Sequence, residues 1–362
     1  GSEMCIRDRV NPEQDLVVLP YSSGTTGHPK GVMLSHSNLV SNLYQFTKLE
    51  PSGEEDTLIA VLPFYHIYGM TVILNSALSH GATVVCMSRF DLEQFLVLMQ
   101  KHEVTRAHLV PPIVLALAKH PMVEGYAFPK LKTIMSGAAP LGPELAEDCA
   151  RRLGCTVKQG YGLTETSPVT HLNPEPPGRV VPGSIGICIP NTECRIVDYE
   201  TGKDLGTGKQ GELWIRGPQV MRGYLNNEEA TNQTIDPEGW LKTGDIAEVD
   251  EDGYFKIVDR VKELIKYKGF QVAPAELEAL LLTHPSIADC AVVPAEDPEA
   301  GEIPVGFVVY KENMVENPET IMEFIAQKVS PQKKIRRIIQ IEQIPKSPSG
   351  KILRRYLRDQ IA

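Results

Sequence analysis

The fold is constrained most by a regular alternation of short apolar segments with helical segments through the first half of the chain. The strand-like runs are Leu16–Leu19, Thr57–Leu62, Thr83–Met87, His108–Val110, Leu131–Met135 and Thr156–Gln159. The helical segments begin near Ser37 and continue at Met70–Leu78, Leu92–Lys101, Pro111–Lys119 and Glu144–Leu153. Since strands that alternate with helices form βαβ units, the pattern predicts an α/β fold with a layered, largely parallel sheet.

The pattern changes near Pro174, where proline and glycine become frequent and strands follow one another without helices. These strands are Glu193–Val197, Gly211–Arg216 and Tyr254–Val258, with Asp252-Gly253 as a hairpin turn before the last. They predict a small antiparallel sheet or β-barrel. Beyond Arg260 helices and strands mix again, as expected for an α+β domain.

Length and charge narrow the possible classes of protein. At 362 residues the chain is too long for a single core, which stops growing near ~250–300 residues, so we expect more than one domain. The 36 basic and 46 acidic side chains give a net charge of −10, which excludes a general nucleic-acid binder. No apolar run approaches the ~18–20 residues of a membrane span. Neither nucleic acid nor a membrane span is therefore expected.

The seven cysteines predict reduced thiols. The count is odd, there is no C-x-x-C, and Cys149/Cys155 and Cys188/Cys194 are poorly spaced for zinc. We therefore expect mostly buried, unpaired thiols in a cytoplasmic protein.

Basic residues are concentrated near the end of the chain. Nine of them and one acid, Glu342, lie between Lys333 and Arg358. Two interpretations remain open from charge alone: a solvated surface, or a site for a polyanionic ligand.

A glycine- and hydroxyl-rich segment, Tyr21–Gly31, lies between a predicted strand and a predicted helix. Glycine lets the backbone approach a ligand closely, hydroxyl and amide groups donate to phosphate oxygens, and Lys30 supplies a positive charge. The spacing is not that of a Walker A loop. A flexible surface turn is the alternative, but it requires neither the lysine nor the adjoining helix.

Four further segments carry residues suited to nucleotide chemistry. They are Gln159–Glu165, Gly239–Asp245 followed by Asp259-Arg260, Lys262–Gln271, and Pro345–Ile352. They offer an aromatic face, a carboxylate for Mg²⁺, an aspartate for ribose hydroxyls, and lysines beside glycine turns. Each alone has an ordinary alternative: a tight turn, a structural Asp–Arg pair, or surface lysines.

Taken together and in order, these segments resemble the adenylate-forming superfamily of acyl-CoA synthetases, luciferases and peptide-synthetase adenylation domains. Among these, Val110–Pro121, Met135–Gly142 and Lys266–Glu278 are most similar to 4-coumarate–CoA ligases, as is Pro63–Tyr68. Gly69 departs from that group, which usually carries Ala or Ser there, so the acyl substrate is not fixed by the resemblance.

The resemblance implies ATP, Mg²⁺ and coenzyme A as ligands and a carboxylic acid as substrate. It implies that Lys351 bridges the carboxylate and the α-phosphate, that Glu165 holds the metal, that Thr164 contacts phosphate, and that His66 orients the adenylate or assists the thiol. The implied residues for ATP and CoA are Ser22, Ser23, Gly24, Thr25, Thr26, Gly27, Lys30, Gly137, Ala138, Gln159, Gly160, Tyr161, Gly162, Asp245, Arg260, Lys266, Lys268, Gly269 and Gln271. The implied hinge is Lys262, and the implied acyl pocket is Tyr65, Ala139, Pro140, Leu141 and Val169, with Gly137 and Ala138.

Three functions follow as expectations. The first is an acid–CoA ligase that prefers 4-coumarate-like aromatic acids. The second is a medium- or long-chain fatty acyl-CoA or luciferase-like ligase, and the third, which is not an enzyme, is an inactive nucleotide-binding fragment. The sequence fixes neither the acid nor the oligomeric state.

The resemblance also implies a domain organisation. Residues 1–9 read as a foreign leader, 10–259 as an incomplete AMP-binding N-terminal domain, and 260–362 as a mobile α+β C-terminal lid domain. Within the N-terminal domain we expect an αβ sheet over 10–173 and a β-barrel over 174–259. Because relatives carry a long region before the phosphate loop, we expect the chain alone to be poorly active.

Overall fold

A computed structural model describes residues 10–22, 29–175, 180–347 and 350–361. The predicted leader at 1–9 lies outside the described residues, as do Ser23, Gly24, Thr25, Thr26 and Gly27 of the glycine-rich segment.

The strands, in chain order, are β1 Leu16–Val18, β2 Tyr21–Ser22, β3 Lys30–Ser35, β4 Thr57–Ala60, β5 Thr83–Cys86, β6 Arg106–Leu109, β7 Thr133–Ser136, β8 Thr156–Gly162, β9 Val169–Leu172, β10 Ile187–Cys188, β11 Glu193–Val197, β12 Asp204–Leu205, β13 Gly211–Arg216, β14 Gly223–Tyr224, β15 Leu241–Val249, β16 Phe255–Arg260, β17 Ile265–Tyr267, β18 Phe270–Val272, β19 Ile287–Asp297, β20 Gly301–Tyr310 and β21 Arg337–Gln340.

The α-helices are α1 His36–Phe46, α2 Ser76–Ser79, α3 Leu92–Lys101, α4 Pro111–Lys119, α5 Pro143–Leu153, α6 Glu228–Thr234, α7 Pro274–Leu281, α8 Pro318–Ala326 and α9 Arg354–Arg358. A π-helix, Tyr68–Asn75, precedes α2, and short 3₁₀ helices lie at Pro121–Gly125, Thr164–Thr166 and Pro331–Lys333.

Helix starts follow from local side-chain chemistry. Asp91 accepts the backbone N–H of Gln94 at 2.9 Å and caps α3. The cap of α1 is Ser35, two residues before the start expected near Ser37, because Ser35 and Asn38 form a reciprocal capping box. In the structure described, no helix is both long and apolar enough to cross a membrane.

The main sheet has seven strands in the order β10-β9-β8-β7-β6-β4-β5. Strands β5, β4, β6, β7 and β8 are parallel, which confirms the βαβ prediction, and β9 and β10 continue the sheet antiparallel. Buried Ile59, Leu109 and Ile134 pack with helix residues such as Phe95 and Val114 into one core. The carboxyl ends of β6, β7 and β8 therefore meet at one edge, where parallel sheets usually bind ligands.

The β-barrel expected within 174–259 is wrong. Among the described residues this region forms an open five-stranded antiparallel sheet, β12-β11-β13-β15-β16. The free edge of β16 meets residues 185 and 186, where Phe255 exchanges backbone hydrogen bonds with Ile185 and Gly186. Because that edge is already paired there, β16 does not close onto β12. The predicted turn at Asp252-Gly253 is confirmed, with Gly253 at φ +80°.

Two smaller sheets complete the described fold. Strands β1, β2 and β14 all pair with β3. The last part of the chain forms β18-β17-β20-β19, with β21 parallel to β20, and packs α7 and α8 around a core that includes Ile265, Leu277 and Ile321. This arrangement is the α+β mixture that the sequence predicts, while the domain boundaries stay a prediction.

Candidate active site

A cavity of about 2030 Å³ lies where the carboxyl ends of β7 and β8, strand β15 and the loop before α9 meet. Most of the described residues singled out in the sequence line it: Ser22, Lys30, His66, Gly137, Ala138, Ala139, Pro140, Leu141, Gln159, Gly160, Tyr161, Gly162, Thr164, Glu165, Val169, Asp245, Arg260, Lys262 and Lys351. Segments that are far apart in sequence thus converge on one space.

Asp245 is the centre of one corner of the cavity. Its Oδ2 accepts a hydrogen bond from the Tyr161 hydroxyl at 2.5 Å, and its Oδ1 lies 3.2 Å from Arg260 Nε. Asp245 and Arg260 are cross-strand partners in β15 and β16, so the register of that hairpin sets this ion pair. Burial, with Asp245 beside it, raises the pKa of Tyr161, so the phenol stays protonated and donates.

Glu165 supplies a second, separate carboxylate. It is buried, and its Oε1 accepts a hydrogen bond from the Tyr224 hydroxyl at 2.8 Å. Lys30 Nζ lies 4.3 Å from the centre of the Tyr224 ring, which places a cation on the same wall. Carboxylate oxygens are the ligands that Mg²⁺ prefers, so the donor set at Glu165 fits that ion.

Glycines shape the wall between these groups. A Cβ at Gly162 would lie 2.0 Å from the carbonyl oxygen of Pro168, so no side chain fits there. A Cβ at Gly137 would lie 2.9 Å from the Tyr68 ring, whose hydroxyl donates to the Met135 carbonyl at 3.2 Å. The Tyr68 ring therefore occupies the space that a side chain at 137 would need.

The departure at Gly69 has a local cause in this chain. A Cβ on Gly69 would lie 2.4 Å from the Pro63 carbonyl oxygen and 2.9 Å from that of Leu62. The π-helix that starts at Tyr68 packs directly on this backbone. Alanine or serine at 69 would therefore require the chain to shift.

Lys351 reaches the cavity from the last part of the chain. Burial, with Arg260 nearby, lowers its pKa to about 8, while Asp245 and Glu263 act in the opposite direction. A side chain on Gly350 would lie 3.3 Å from Val110 Cγ2, so this loop contacts the segment between β6 and α4. The last part of the chain therefore contributes Gly350 and Lys351 to the cavity wall.

Three interactions hold the Lys351 loop in place. Arg354 makes two hydrogen bonds to Glu278, at 2.7 and 2.8 Å, and Lys346 lies 2.6 Å from Asp289. The backbone N–H of Lys351 donates to Ser347 Oγ at 3.1 Å. Nothing in the sequence pattern pointed to Arg354 or Glu278, because their pairing joins residues distant in sequence.

Asp259 connects the residues on either side of Lys262. Its Oδ2 accepts the backbone N–H of Ala275 at 2.8 Å, and its Oδ1 accepts that of Arg260 at 2.7 Å. Burial raises the pKa of Asp259 to about 6, and the positive charge of Arg354 opposes that rise. The carboxylate thus joins the end of β16 to the start of α7.

His66 lies on the cavity wall with one ring nitrogen already engaged. Its Nδ1 accepts the backbone N–H of Tyr68 at 3.2 Å, and burial lowers its pKa below the usual value. The neutral ring therefore carries its proton on Nε2. That nitrogen is a hydrogen-bond donor.

Five sequence-predicted residues do not line the cavity. Tyr65 is 74% exposed, and Lys266, Lys268, Gly269 and Gln271 lie on the exposed β17–β18 hairpin. The structure also brings in residues that the sequence reasoning missed. Tyr68, Tyr224 and Glu263 are buried at or beside the cavity. Tyr68 and Glu263 lie in the segments Pro63–Tyr68 and Lys262–Gln271 without having been singled out, and Tyr224 lies in no motif.

Comparisons with known proteins agree on the family. The family described as "AMP-binding enzyme" matches residues 5–225, and "AMP-binding enzyme C-terminal domain" matches 276–351. A 4-coumarate–CoA ligase 2 of Nicotiana tabacum is 50% identical over 357 residues, which cover 96% of this chain. The chain spans 66% of that relative's length, just under two thirds.

Two solved structures of one relative, with and without ATP, differ in their similarity to this chain. MatB from Rhodopseudomonas palustris with ATP bound superposes with a TM-score of 0.90 at 31% identity, covering 98% of this chain and 69% of MatB. The apo form of MatB covers the same fractions at the same identity, with a TM-score of only 0.75. The present arrangement therefore resembles the nucleotide-bound form more closely.

Proposed function

The chain belongs to the AMP-binding enzyme family, and from that premise we propose that it is an ATP-dependent acid–CoA ligase with a preference for aromatic acids. The observation that carries the proposal is the convergence of Asp245, Glu165 and Lys351 on one cavity. In the proposed first step a carboxylate oxygen attacks the α-phosphorus of ATP, giving an acyl-adenylate and pyrophosphate. In the second, the CoA thiol attacks the acyl carbon and AMP leaves.

The first step must bring two anions together, so its main requirement is positive charge at the reacting atoms. We assign this role to Lys351, which lines the cavity from the last part of the chain. Asp245, oriented by Tyr161 and Arg260, is suited to accept hydrogen bonds from ribose hydroxyls. Lys30, Ser22 and Thr164 are assigned to phosphate oxygens, and Gln159, Gly160 and Gly162 to the wall around the nucleotide.

Mg²⁺ fits the same corner of the cavity. Glu165 would hold it, since the carboxylate is buried on the wall that also carries Lys30. When bound, the ion would offset phosphate charge. Tyr224 fixes the orientation of the carboxylate through its 2.8 Å hydrogen bond to Oε1.

The acid is assigned to the side of the cavity near Gly137. Ala138, Ala139, Pro140, Leu141 and Val169 line it, and the Tyr68 ring lies against Gly137. The side chains named are small, apolar or aromatic. They therefore suit the planar ring of an aromatic acid better than an acyl group that carries a further charge. The 50% identity to a 4-coumarate–CoA ligase supports the same preference.

His66 is assigned to orienting the acyl group. Its Nε2–H is a donor in the neutral ring, since Nδ1 already accepts from Tyr68. A donor suits the oxygen of a carboxylate or an acyl-adenylate. Removing the thiol proton would instead need a nitrogen with a free lone pair, so of the two roles considered the geometry favours orientation.

We assign the second step to another arrangement of the parts of the chain before and after Lys262. Lys266, Lys268, Gly269 and Gln271 are exposed on a hairpin away from the cavity, so they do not meet the acyl group as the chain is arranged here. We propose that a rotation at Lys262 withdraws Lys351 and presents this hairpin to CoA. The two forms of MatB, with different TM-scores to this chain, support such a rearrangement.

A panel of acids tests the proposed function. The purified chain, with Mg·ATP and labelled pyrophosphate, should exchange label into ATP in the presence of 4-coumarate and then form a CoA thioester, both at the low rate expected of the chain alone. Exchange with fatty acids alone would contradict the aromatic preference. Absence of exchange with every acid, in protein that still binds ATP by calorimetry, would contradict the ligase assignment.

We also propose a cytoplasmic location, because the chain's thiols include the buried Cys149 and Cys290 and no disulfide is present among the described cysteines. Fractionation of cells that express the tagged protein tests this. Recovery in an oxidising compartment would contradict it.

A further inference from the structure

Three potential metal ligands lie together outside the proposed active site. They are His171 Nε2, Cys188 Sγ and Cys194 Sγ, and these atoms all lie within 4.8 Å of one another. They come from three strands, β9, β10 and β11, and His171 and Cys188 are directly opposed in the β9–β10 pairing. The cluster therefore lies at the junction of the seven-stranded and five-stranded sheets.

The hydrogen bonds around His171 leave the correct nitrogen available. Thr170 Oγ1 lies 3.3 Å from the carbonyl oxygen of Tyr161 and 3.0 Å from His171 Nδ1. In the tautomer suited to metal binding, the hydroxyl donates its single proton to the carbonyl and accepts from Nδ1–H. Nε2 then carries a lone pair, and it lies 3.4 Å from Cys194 Sγ. A second-sphere bond of this kind is typical of metal-binding histidines.

The two sulfurs are close together without being bonded. Cys188 Sγ lies 2.9 Å from Cys194 Sγ and 3.2 Å from the Thr192 carbonyl oxygen. Two thiolates on a tetrahedral zinc, each about 2.3 Å from the metal, would lie about 3.8 Å apart. The sulfurs therefore need to separate by about 1 Å to reach that spacing.

We propose that His171, Cys188 and Cys194 bind a Zn²⁺ ion, with a solvent molecule in the fourth position. Binding releases the two thiol protons to solvent, and the two thiolates then balance the charge of the ion. Charge balance matters here because Cys194 packs against the apolar cluster of Ile196, Ile215 and Phe255. Imidazole and thiolate together favour zinc over the oxygen-seeking Mg²⁺.

The sequence did not reveal this site, because cysteine spacing alone argued against zinc. The third ligand comes from a strand that pairs with Cys188 only in the fold. His171 is also the cross-strand partner of Tyr161, and their ring centres are 6.0 Å apart. An ion here would therefore brace the strand pair that carries Tyr161, while being separate from the Mg²⁺ assigned to Glu165.

Titration of the full, reduced chain with Zn²⁺ tests the proposal. We expect one ion per chain in competition with a chromophoric chelator, and at least about tenfold weaker binding in Cys188→Ser and Cys194→Ser. Cys86→Ser is the matched control, because that thiol is exposed and lies on another strand. Co²⁺ in place of Zn²⁺ should give the spectrum of a tetrahedral thiolate site.

A second measurement uses the unaltered chain, so it does not depend on the variants folding. Zn²⁺ should protect Cys188 and Cys194 from alkylation, read by mass spectrometry, while Cys86 reacts with or without the ion. Equal reactivity of all three with Zn²⁺ present would overturn the site. Absence of stoichiometric Zn²⁺ binding to the reduced chain would also overturn the site. Cys188 and Cys194 would then be a pair that air oxidation simply joins in a disulfide.

Discussion

Two loops in the last part of the chain each place a lysine beside a glycine, but the two lysines lie in opposite environments. Lys351 follows a glycine and lies in the cavity, with its pKa lowered to about 8 by burial. Lys268 precedes a glycine and lies on the exposed β17–β18 hairpin. A lysine beside a glycine turn therefore has no fixed role, and in the proposed cycle the rotation at Lys262 would decide which loop meets the cavity.

The largest effect should come from removing the lysine that lines the cavity, Lys351. In Lys351→Ala we expect adenylate formation to fall by about 100- to 1000-fold, because a positive charge at the reacting atoms is lost. ATP binding should largely survive, since Asp245 and Glu165 remain. Pyrophosphate exchange and calorimetry measure the two quantities. Equal loss of both would show that Lys351 serves binding and not the reaction.

A smaller effect, on the free energy of unfolding, should distinguish the side-chain contacts that hold the two loops. Arg354→Ala should cost about 3 kcal/mol of unfolding free energy, because it leaves the Glu278 carboxylate, which is only 12% exposed, without its charged partner. Arg336→Ala, which removes a 3.0 Å hydrogen bond to Tyr267 at the hairpin, should cost about 1 kcal/mol or less. Urea denaturation of both variants gives the comparison. Similar costs would mean that the loops are held equally firmly.

The exposed hairpin should matter only for the second step. Replacing Lys266 and Lys268 together by alanine should slow thioester formation by about tenfold, the equivalent of about 1.4 kcal/mol. Pyrophosphate exchange should be unchanged, since neither side chain lines the cavity. Single-turnover assays starting from the acyl-adenylate isolate this step. A loss in exchange instead would place the hairpin in the first step.

The smallest effect is a dependence on pH. Lys351 is charged below its pKa and loses its proton as the pH rises through about 8. We therefore expect kcat/KM for ATP to halve near pH 8 and to fall tenfold per unit above it. A pH profile of pyrophosphate exchange measures this, and Lys351→Arg should abolish the decline, because arginine stays charged. A decline that persists in that variant must come from another group.

Much of the fold was predictable because its main determinants are local. The alternation of apolar runs with helices predicted the parallel strands, and Asp252-Gly253 predicted the β15–β16 hairpin. The barrel was not predictable in the same way. Closure depends on which strand meets the free edge of β16, and in the structure Gly186 meets it. Such a contact leaves no pattern in the sequence.

The candidate site was likewise predictable only where its residues lie in local motifs. Motifs with their own composition, such as Tyr161–Glu165 and the turn at Gly350-Lys351, converge on one cavity. Side chains that act only through distant partners had no local signal. Tyr224 is significant because its hydroxyl reaches Glu165, and His171 because it faces two cysteines from other strands.

The hydrogen bond from Ala275 to Asp259 has a consequence for the rate of the rotation proposed at Lys262. It spans Lys262, so a swing about that residue must break it or carry both groups along. Asn in place of Asp259 would remove the charge and leave one acceptor oxygen for the two backbone N–H groups of Ala275 and Arg260, which weakens the contact. Such a chain should cycle between its two arrangements with a shallower temperature dependence, because less enthalpy is given up in each swing.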